Sequence, residues 1–135
     1  MNILFICKHN RFRSKVAEAF FNKYNRKKKI HAKSAGVIRG RYPLDKGQVA
    51  IAKKFGINLS GKPKEASSEL LDWQDLLIIA ADNVPASLFK DYQNKYNKKL
   101  VVWKIPDAIG DDYKGIWSTI DKINNKIKKL VKDLK

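Results

Sequence analysis

Cys7 and Arg13 are the residues of this chain whose types and spacing point most directly to chemistry. Cys7 is the only cysteine in 135 residues, and Arg13 is followed at once by Ser14. The segment between them reads Lys8-His9-Asn10-Arg11-Phe12. A loop of this length running into a helix can wrap a tetrahedral oxyanion with its backbone N–H groups turned inward. Arg13 would close the ring and hold two oxygens through its planar fork. Cys7 would then lie beneath the anion, at the positive end of a helix dipole. That field, with Arg13 and the Ser14 hydroxyl, favours a thiolate able to attack the central atom in line. The same residues would also occur in a strand-end cysteine packed into a core, with a surface arginine nearby. Arginine is scarce, with only Arg11, Arg13, Arg26, Arg39 and Arg41 present, so coincidence at this offset is a poor explanation.

The elements around the loop must place it at the end of a sheet. Asn2 to Ile6 is a short apolar run consistent with a buried parallel strand, and Cys7 follows it. From Ser14 to about Tyr24, Val16, Ala17, Phe20, Phe21 and Tyr24 recur at helical spacing. Ile30 to Lys33 reads as a second strand. Pro43 stands where a helix can begin, and Gly56 is a good stop after Phe55. Leu76 to Ala80 is the clearest central strand, and a short helix is expected after Pro85, through Leu88 and Phe89. Leu100 to Trp103 reads as a fourth strand. Ile116, Ile120, Ile123, Ile127, Leu130 and Leu134 then form the apolar stripe of a long, lysine-faced helix. The alternation predicts an α/β fold: one domain over residues 1–135, with a parallel four-stranded sheet and helices on both faces, doubly wound and flavodoxin-like. Ligands of such sheets bind beyond the carboxyl ends of the strands, where Cys7 is placed.

Composition sets the outer bounds. The formal net charge is +16, from 29 Lys and Arg against 13 Asp and Glu, which favours anionic partners. The densest run, Arg26-Lys27-Lys28-Lys29, falls in an expected turn, and no base-reading motif accompanies the charge, so nucleic acid is not the expected main partner. A single cysteine excludes an internal disulfide and a cysteine metal cluster. With only His9 and His31 as imidazoles, neither a metal nor another cofactor is expected. No apolar stretch is long enough to cross a bilayer. The apolar start, Met1 to Ile6, is too short for a signal peptide, so no membrane partner and a cytoplasmic location are the expectation.

The first block, Leu4-Phe5-Ile6-Cys7 through Asn10, Arg13-Ser14 and Ala17-Glu18, resembles the signature of the low-molecular-weight protein tyrosine phosphatases and related arsenate reductases. Ser34-Ala35-Gly36 is similar to that family's second-strand motif. Gly56-Ile57 through Ser60, Leu70-Leu71 and Asp75 to Ile79 are similar to its middle segment. Pro106-Asp107 matches the place of its acid loop. The resemblance implies that Cys7 is the nucleophile of a thiophosphate intermediate, that Arg13 binds the transferring group and that Ser14 stabilises the thiolate. It implies that Asn10, assisted by Ser34, shapes a loop to which Lys8, His9, Arg11 and Phe12 also belong. It implies that Asp107 protonates the leaving oxygen and then activates water. From its neighbours alone Asp107 reads first as a turn or cap residue, with Asp111 and Asp112 close by, and only the resemblance favours the acid role.

Departures from the family pattern separate the functional readings. His9, where phosphatases usually carry glycine, resembles the arsenate-reductase side, as does the segment around Lys62-Pro63-Lys64 and Leu70-Leu71-Asp72-Trp73. The missing cysteines point the other way. Ala80-Ala81-Asp82-Asn83 stands where a thioredoxin-linked reductase would carry its next thiol, so arsenate reduction would need an external thiol donor. Hydrolysis of a phosphorylated protein, phosphotyrosine above all, or of a small phosphoester needs none and is the leading expectation. A non-catalytic phosphoanion-binding or nucleic-acid-binding module is the third. Aromatic walls for a phosphotyrosine ring are not evident, because Ala108 and Ile109 follow Asp107 and Arg11 replaces a common apolar residue. Tyr42, Trp103 and Tyr113 are the remaining candidates, with core packing as their more ordinary role. Phe12 stands where many family phosphatases carry a second cysteine, so peroxide should drive Cys7 up the oxidation ladder without an internal disulfide to trap it. Full recovery of activity with dithiothreitol after prolonged peroxide treatment would contradict this.

Overall fold

The computed structural model describes residues 1–108 and 112–134. Its elements run β1 (Asn2–Cys7), α1 (Arg13–Tyr24), β2 (His31–Gly36), α2 (Lys46–Lys54), α3 (Ser68–Trp73), β3 (Leu76–Ala80), α4 (Ser87–Lys95), β4 (Lys99–Trp103) and α5 (Tyr113–Asp133). The strands form one four-stranded sheet in the order β2-β1-β3-β4. All three pairings are parallel, with Cys7 opposite Gly36, Ile3 opposite Leu76 and Leu76 opposite Lys99.

The apolar character of β1 and β3 follows from their central position. A strand buried on both faces has no solvent side, so alternate residues feed two separate cores. Ile3, Phe5, Leu76 and Ile78 pack with Phe20, Phe21, Ile120, Ile123 and Ile127 from α1 and α5. Leu4, Ile6, Leu77 and Ile79 pack on the other face with Phe89 of α4, and Leu70 and Leu71 of α3 lie against them. The stripe on α5 is buried at Ile116, Ile120, Ile123 and Ile127, while its lysines face out. The doubly wound sheet expected from the sequence is therefore present. β2 and β3 lie on opposite sides of β1, so a crevice opens beyond its carboxyl end.

Several boundaries differ from the sequence reading. Cys7 is the last residue of β1 and pairs with Gly36. Arg13, not Ser14, opens α1. The second strand is His31–Gly36, displaced from the expected 30–33, because parallel pairing with β1 carries Ser34, Ala35 and Gly36 into the sheet. The second helix starts after Asp45, whose side chain caps it by accepting from the Gln48 N–H at 2.9 Å, and not at Pro43. Gly56, with φ of +81°, follows its end as expected. The six-residue α3, capped by Ser67, was not anticipated. Ile109, Gly110 and Asp111, at the end of the expected acid loop, lie outside the described residues. Among the described residues no helix is long and apolar enough to cross a membrane.

Candidate active site

The site is assembled at the carboxyl end of β1. The strand delivers Cys7 with its side chain almost fully buried, and the chain turns through 8–12 into α1. Phe12 at the N-cap makes no side-chain capping bond among the described residues. The first-turn N–H groups of α1 are thus not taken up by that cap, the condition under which a helix start receives an anion.

The loop's shape rests on Asn10. It is fully buried and adopts φ of +56°, a left-handed conformation asparagine tolerates better than most residues. Its Nδ2 donates to Ser14 Oγ at 2.8 Å and to Ser34 Oγ at 3.0 Å, while its Oδ1 accepts from the Lys64 N–H at 3.1 Å. Ser34 Oγ donates onward to Glu18 Oε1 at 2.5 Å. Ser14 Oγ lies 3.0 Å from Cys7 Sγ. Asn10 occupies one acceptor site of Ser14, and toward an ionised Cys7, which can only accept, the hydroxyl is the donor. On its outer side the loop is lined by the chain after β2. Val37, Ile38 and Gly40 donate from their N–H groups to the carbonyls of Cys7, Lys8 and His9 at 2.9–3.1 Å. Gly36 permits this approach, since a Cβ there would lie 2.7 Å from the His9 carbonyl carbon and 2.8 Å from the Asn10 nitrogen.

Arg13 is buried and held from three directions. Its Nη1 donates to the Ile105 carbonyl at 2.9 Å and its Nη2 to Asn83 Oδ1 at 3.0 Å. Asp82 Oδ1 lies 3.5 Å from Nη1 and Asp107 Oδ1 lies 3.8 Å from Nε. Two of the five guanidinium N–H groups fix the plane in this way, leaving others for a ligand. Asp107 accepts from its neighbour, the Ala108 N–H, at 3.0 Å, and its side chain is 43% exposed.

A cavity of about 120 Å³ joins these parts and is lined by Cys7, His9, Arg11, Phe12, Arg13 and Asp107, with Asp45, Gln48 and Ala108 completing it. A buried cysteine, a clamped arginine and a half-exposed carboxylate therefore face one small space. Gln48 ties the Asp107 loop to α2 by donating from Nε2 to the Ala108 carbonyl at 2.9 Å. Lys8 is exposed and does not line the cavity, while Asn10, Ser14 and Ser34 lie behind the loop. None of Tyr42, Trp103 and Tyr113 lines the cavity either. Trp103 is core, as its ordinary role required, whereas Tyr42 and Tyr113 are exposed. Among the described residues, no cluster of His, Cys, Asp and Glu is placed to hold a metal ion.

Asp45, Gln48, Asp82 and Asn83 were not singled out as site residues from the sequence. Lys15, next to Ser14, was also missed. It is buried, its Nζ donates to the Ser60 carbonyl at 3.0 Å, and burial pushes its pKa below the usual lysine range, partly offset by Glu18.

A cysteine and arginine bracketing a loop at a helix start, beyond a strand end of a doubly wound sheet, form an arrangement suited to a tetrahedral oxyanion. Residues 2–135 match the family described as low molecular weight phosphotyrosine protein phosphatase, and the chain belongs to that family. Among solved structures, a low molecular weight protein tyrosine phosphatase from T. tengcongensis superposes with a TM-score of 0.85 at 28% identity, covering 99% of each chain. An arsenate reductase from Archaeoglobus fulgidus gives 0.75 at 28% identity, covering 96% of this chain and 98% of that one. The YwlE arginine phosphatase from Geobacillus stearothermophilus gives 0.84 at 20% identity, covering 98% and 92%, a likeness of fold. A search of curated proteins returned no match. Family and neighbours together support a cysteine-dependent phosphatase or arsenate reductase.

Asn10→Ala is expected to lower stability by about 1–3 kcal/mol, because it removes two buried hydrogen bonds and one part-buried one and leaves φ strained. Asn10→Gly relieves the backbone alone and should recover only part of that loss in urea denaturation. Equal stability of all three proteins would contradict the role given to this side chain.

Proposed function

We propose that the protein is a phosphate monoester hydrolase that uses Cys7 as nucleophile, with protein phosphotyrosine as its substrate. The observation that carries this reading is the placement of Asp107 on the same small cavity as Cys7 and Arg13. The thiolate attacks phosphorus and displaces the ester oxygen, forming the S–P bond as the P–O bond breaks. Protonated Asp107 delivers its proton to the departing oxygen. The resulting carboxylate then takes a proton from the water that releases phosphate and restores the thiolate. Arg13 and the loop N–H groups hold the equatorial oxygens as charge redistributes. Each step uses one cysteine, and the chain has only one.

A second reading, arsenate reduction with an external thiol donor, is favoured by His9 on the cavity wall and by the likeness to the A. fulgidus reductase. It requires a co-reactant to reduce Cys7 after each turnover. Hydrolysis of p-nitrophenyl phosphate by the native protein, Cys7→Ser and Asp107→Asn separates the two. Turnover lost with Cys7 and reduced about 10²–10⁴-fold with Asp107→Asn supports the phosphatase. No turnover, with thiol-coupled consumption of arsenate, supports the reductase. Phosphotyrosine and phosphoarginine peptides compared in the same assay then test the choice of substrate residue. Asp45 and Asp107 on one cavity make a cationic leaving group the relevant rival.

A further inference from the structure

A second, larger groove of about 650 Å³ lies between the chain after β2 and residues 62–65. Its charged lining is Arg39, Arg41 and Lys62 against the single acid Glu65, and Tyr42 and Ile38 supply exposed apolar surface. The groove is joined to the catalytic cavity through Arg11. That side chain lines the cavity, while its Nη2 and Nε donate to the Pro43 carbonyl at 2.8 and 3.3 Å, and Pro43 lines the groove. The Arg11 guanidinium also lies 5.8 Å from the Tyr42 ring centroid. Gly40 permits the contact, since a Cβ there would meet Arg11 Cγ at 2.6 Å. One wall residue of the groove is thus tied to the loop between Cys7 and Arg13, which sets the groove beside the cavity.

Arg11 is charged and Tyr42 lies on the groove and not on the cavity, so neither forms an apolar slot for a ring there. In the groove beside the cavity three cations face one acid. We propose that this groove binds the acidic residues that flank the phosphorylated residue of a peptide substrate, making it a specificity subsite of the proposed phosphatase. The inference rests on that phosphatase reading and deepens it. Exposed cation–carboxylate pairs are individually weak and fade with salt. Three in one groove correspond to about a tenfold preference at low ionic strength, which is the size of effect to measure.

The test is competition against p-nitrophenyl phosphate, which is too small to reach the groove. Two short phosphotyrosine peptides are compared, one flanked by Glu and one by Lys, in low and high salt. The native protein should bind the Glu peptide about tenfold more tightly than the Lys peptide at low salt, and high salt should erase most of the difference. The triple variant Arg39→Ala/Arg41→Ala/Lys62→Ala should reduce the preference to less than about twofold, with turnover of p-nitrophenyl phosphate unchanged. A control, Lys126→Ala/Lys129→Ala/Lys132→Ala on α5, removes the same charge elsewhere and should keep the preference. No preference in the native protein, or equal loss in both variants, would overturn the subsite, the latter showing only the pull of the overall charge. A small bisphosphate ester that competes as well as the Glu peptide, with the same sensitivity to the groove variant, would overturn the peptide assignment. Failure of the native protein to hydrolyse p-nitrophenyl phosphate would remove the phosphatase reading, and this one with it.

Discussion

Cys7→Ser should reduce hydrolysis of p-nitrophenyl phosphate by a factor on the order of 10⁴ or more, while leaving the fold intact. Serine is close to isosteric, and Cys7 sits at the end of β1 paired with Gly36, so the register of the sheet has no reason to change. The sulfur's neighbour, Ser14 Oγ at 3.0 Å, can meet a serine hydroxyl as readily as a thiol. What disappears is the ionised nucleophile. A hydroxyl beside Ser14 has no general base among its hydrogen-bond partners to take its proton, since Asp107 is assigned to the leaving group. The check is kcat together with the melting temperature. Near-native turnover would show that Cys7 does not carry the chemistry, and a collapsed melting transition would call for Cys7→Ala as the replacement test.

The second large effect is expected from Arg13→Lys, about 10²–10³-fold in kcat/KM. The charge is retained, but the fork is lost. Arg13 uses Nη1 and Nη2 on Ile105 and Asn83 while still facing the cavity, a division of labour open to five donors in one plane and closed to a single ammonium. A lysine would satisfy the buried partners or the ligand, and inorganic phosphate should lose most of its power as a competitive inhibitor. Retention of native kcat/KM would mean that charge alone suffices and that the Asn83 and Ile105 clamp has no catalytic consequence.

The central parts of this molecule are written locally and could be read from sequence. The apolar runs of β1 and β3, the isoleucine stripe of α5 and the Cys7 to Ser14 loop each depend on neighbours within a few residues. What escaped was set by pairing across the sheet. Ser34 and Gly36 belong to β2 because β1 lies beside them; the apolar pattern ended the strand at Lys33, and only the family resemblance of Ser34-Ala35-Gly36 pointed further. Asp45 reads as an ordinary helix cap, and it is one, yet the packing of α2 also brings it to the cavity. Gln48 finds Ala108 sixty residues away, and Arg13 finds Asp82 and Asn83 across the strand ends. The six residues of α3 span too few turns for a periodic signal. Tyr42 and Tyr113 looked like core and are exposed, because aromatic type alone does not reveal a cation partner. Arg11 lies near the Tyr42 ring and Lys54 lies 5.2 Å from that of Tyr113.

The most direct measurement is acid quench of Asp107→Asn during turnover of p-nitrophenyl phosphate, followed by mass analysis of the peptide containing Cys7. The mechanism predicts a stoichiometric adduct of one phosphoryl group on Cys7, formed together with a burst of p-nitrophenolate, because the water-activating carboxylate is missing. Continued product release with no phosphoryl group on Cys7, or with the group on another residue, would contradict it.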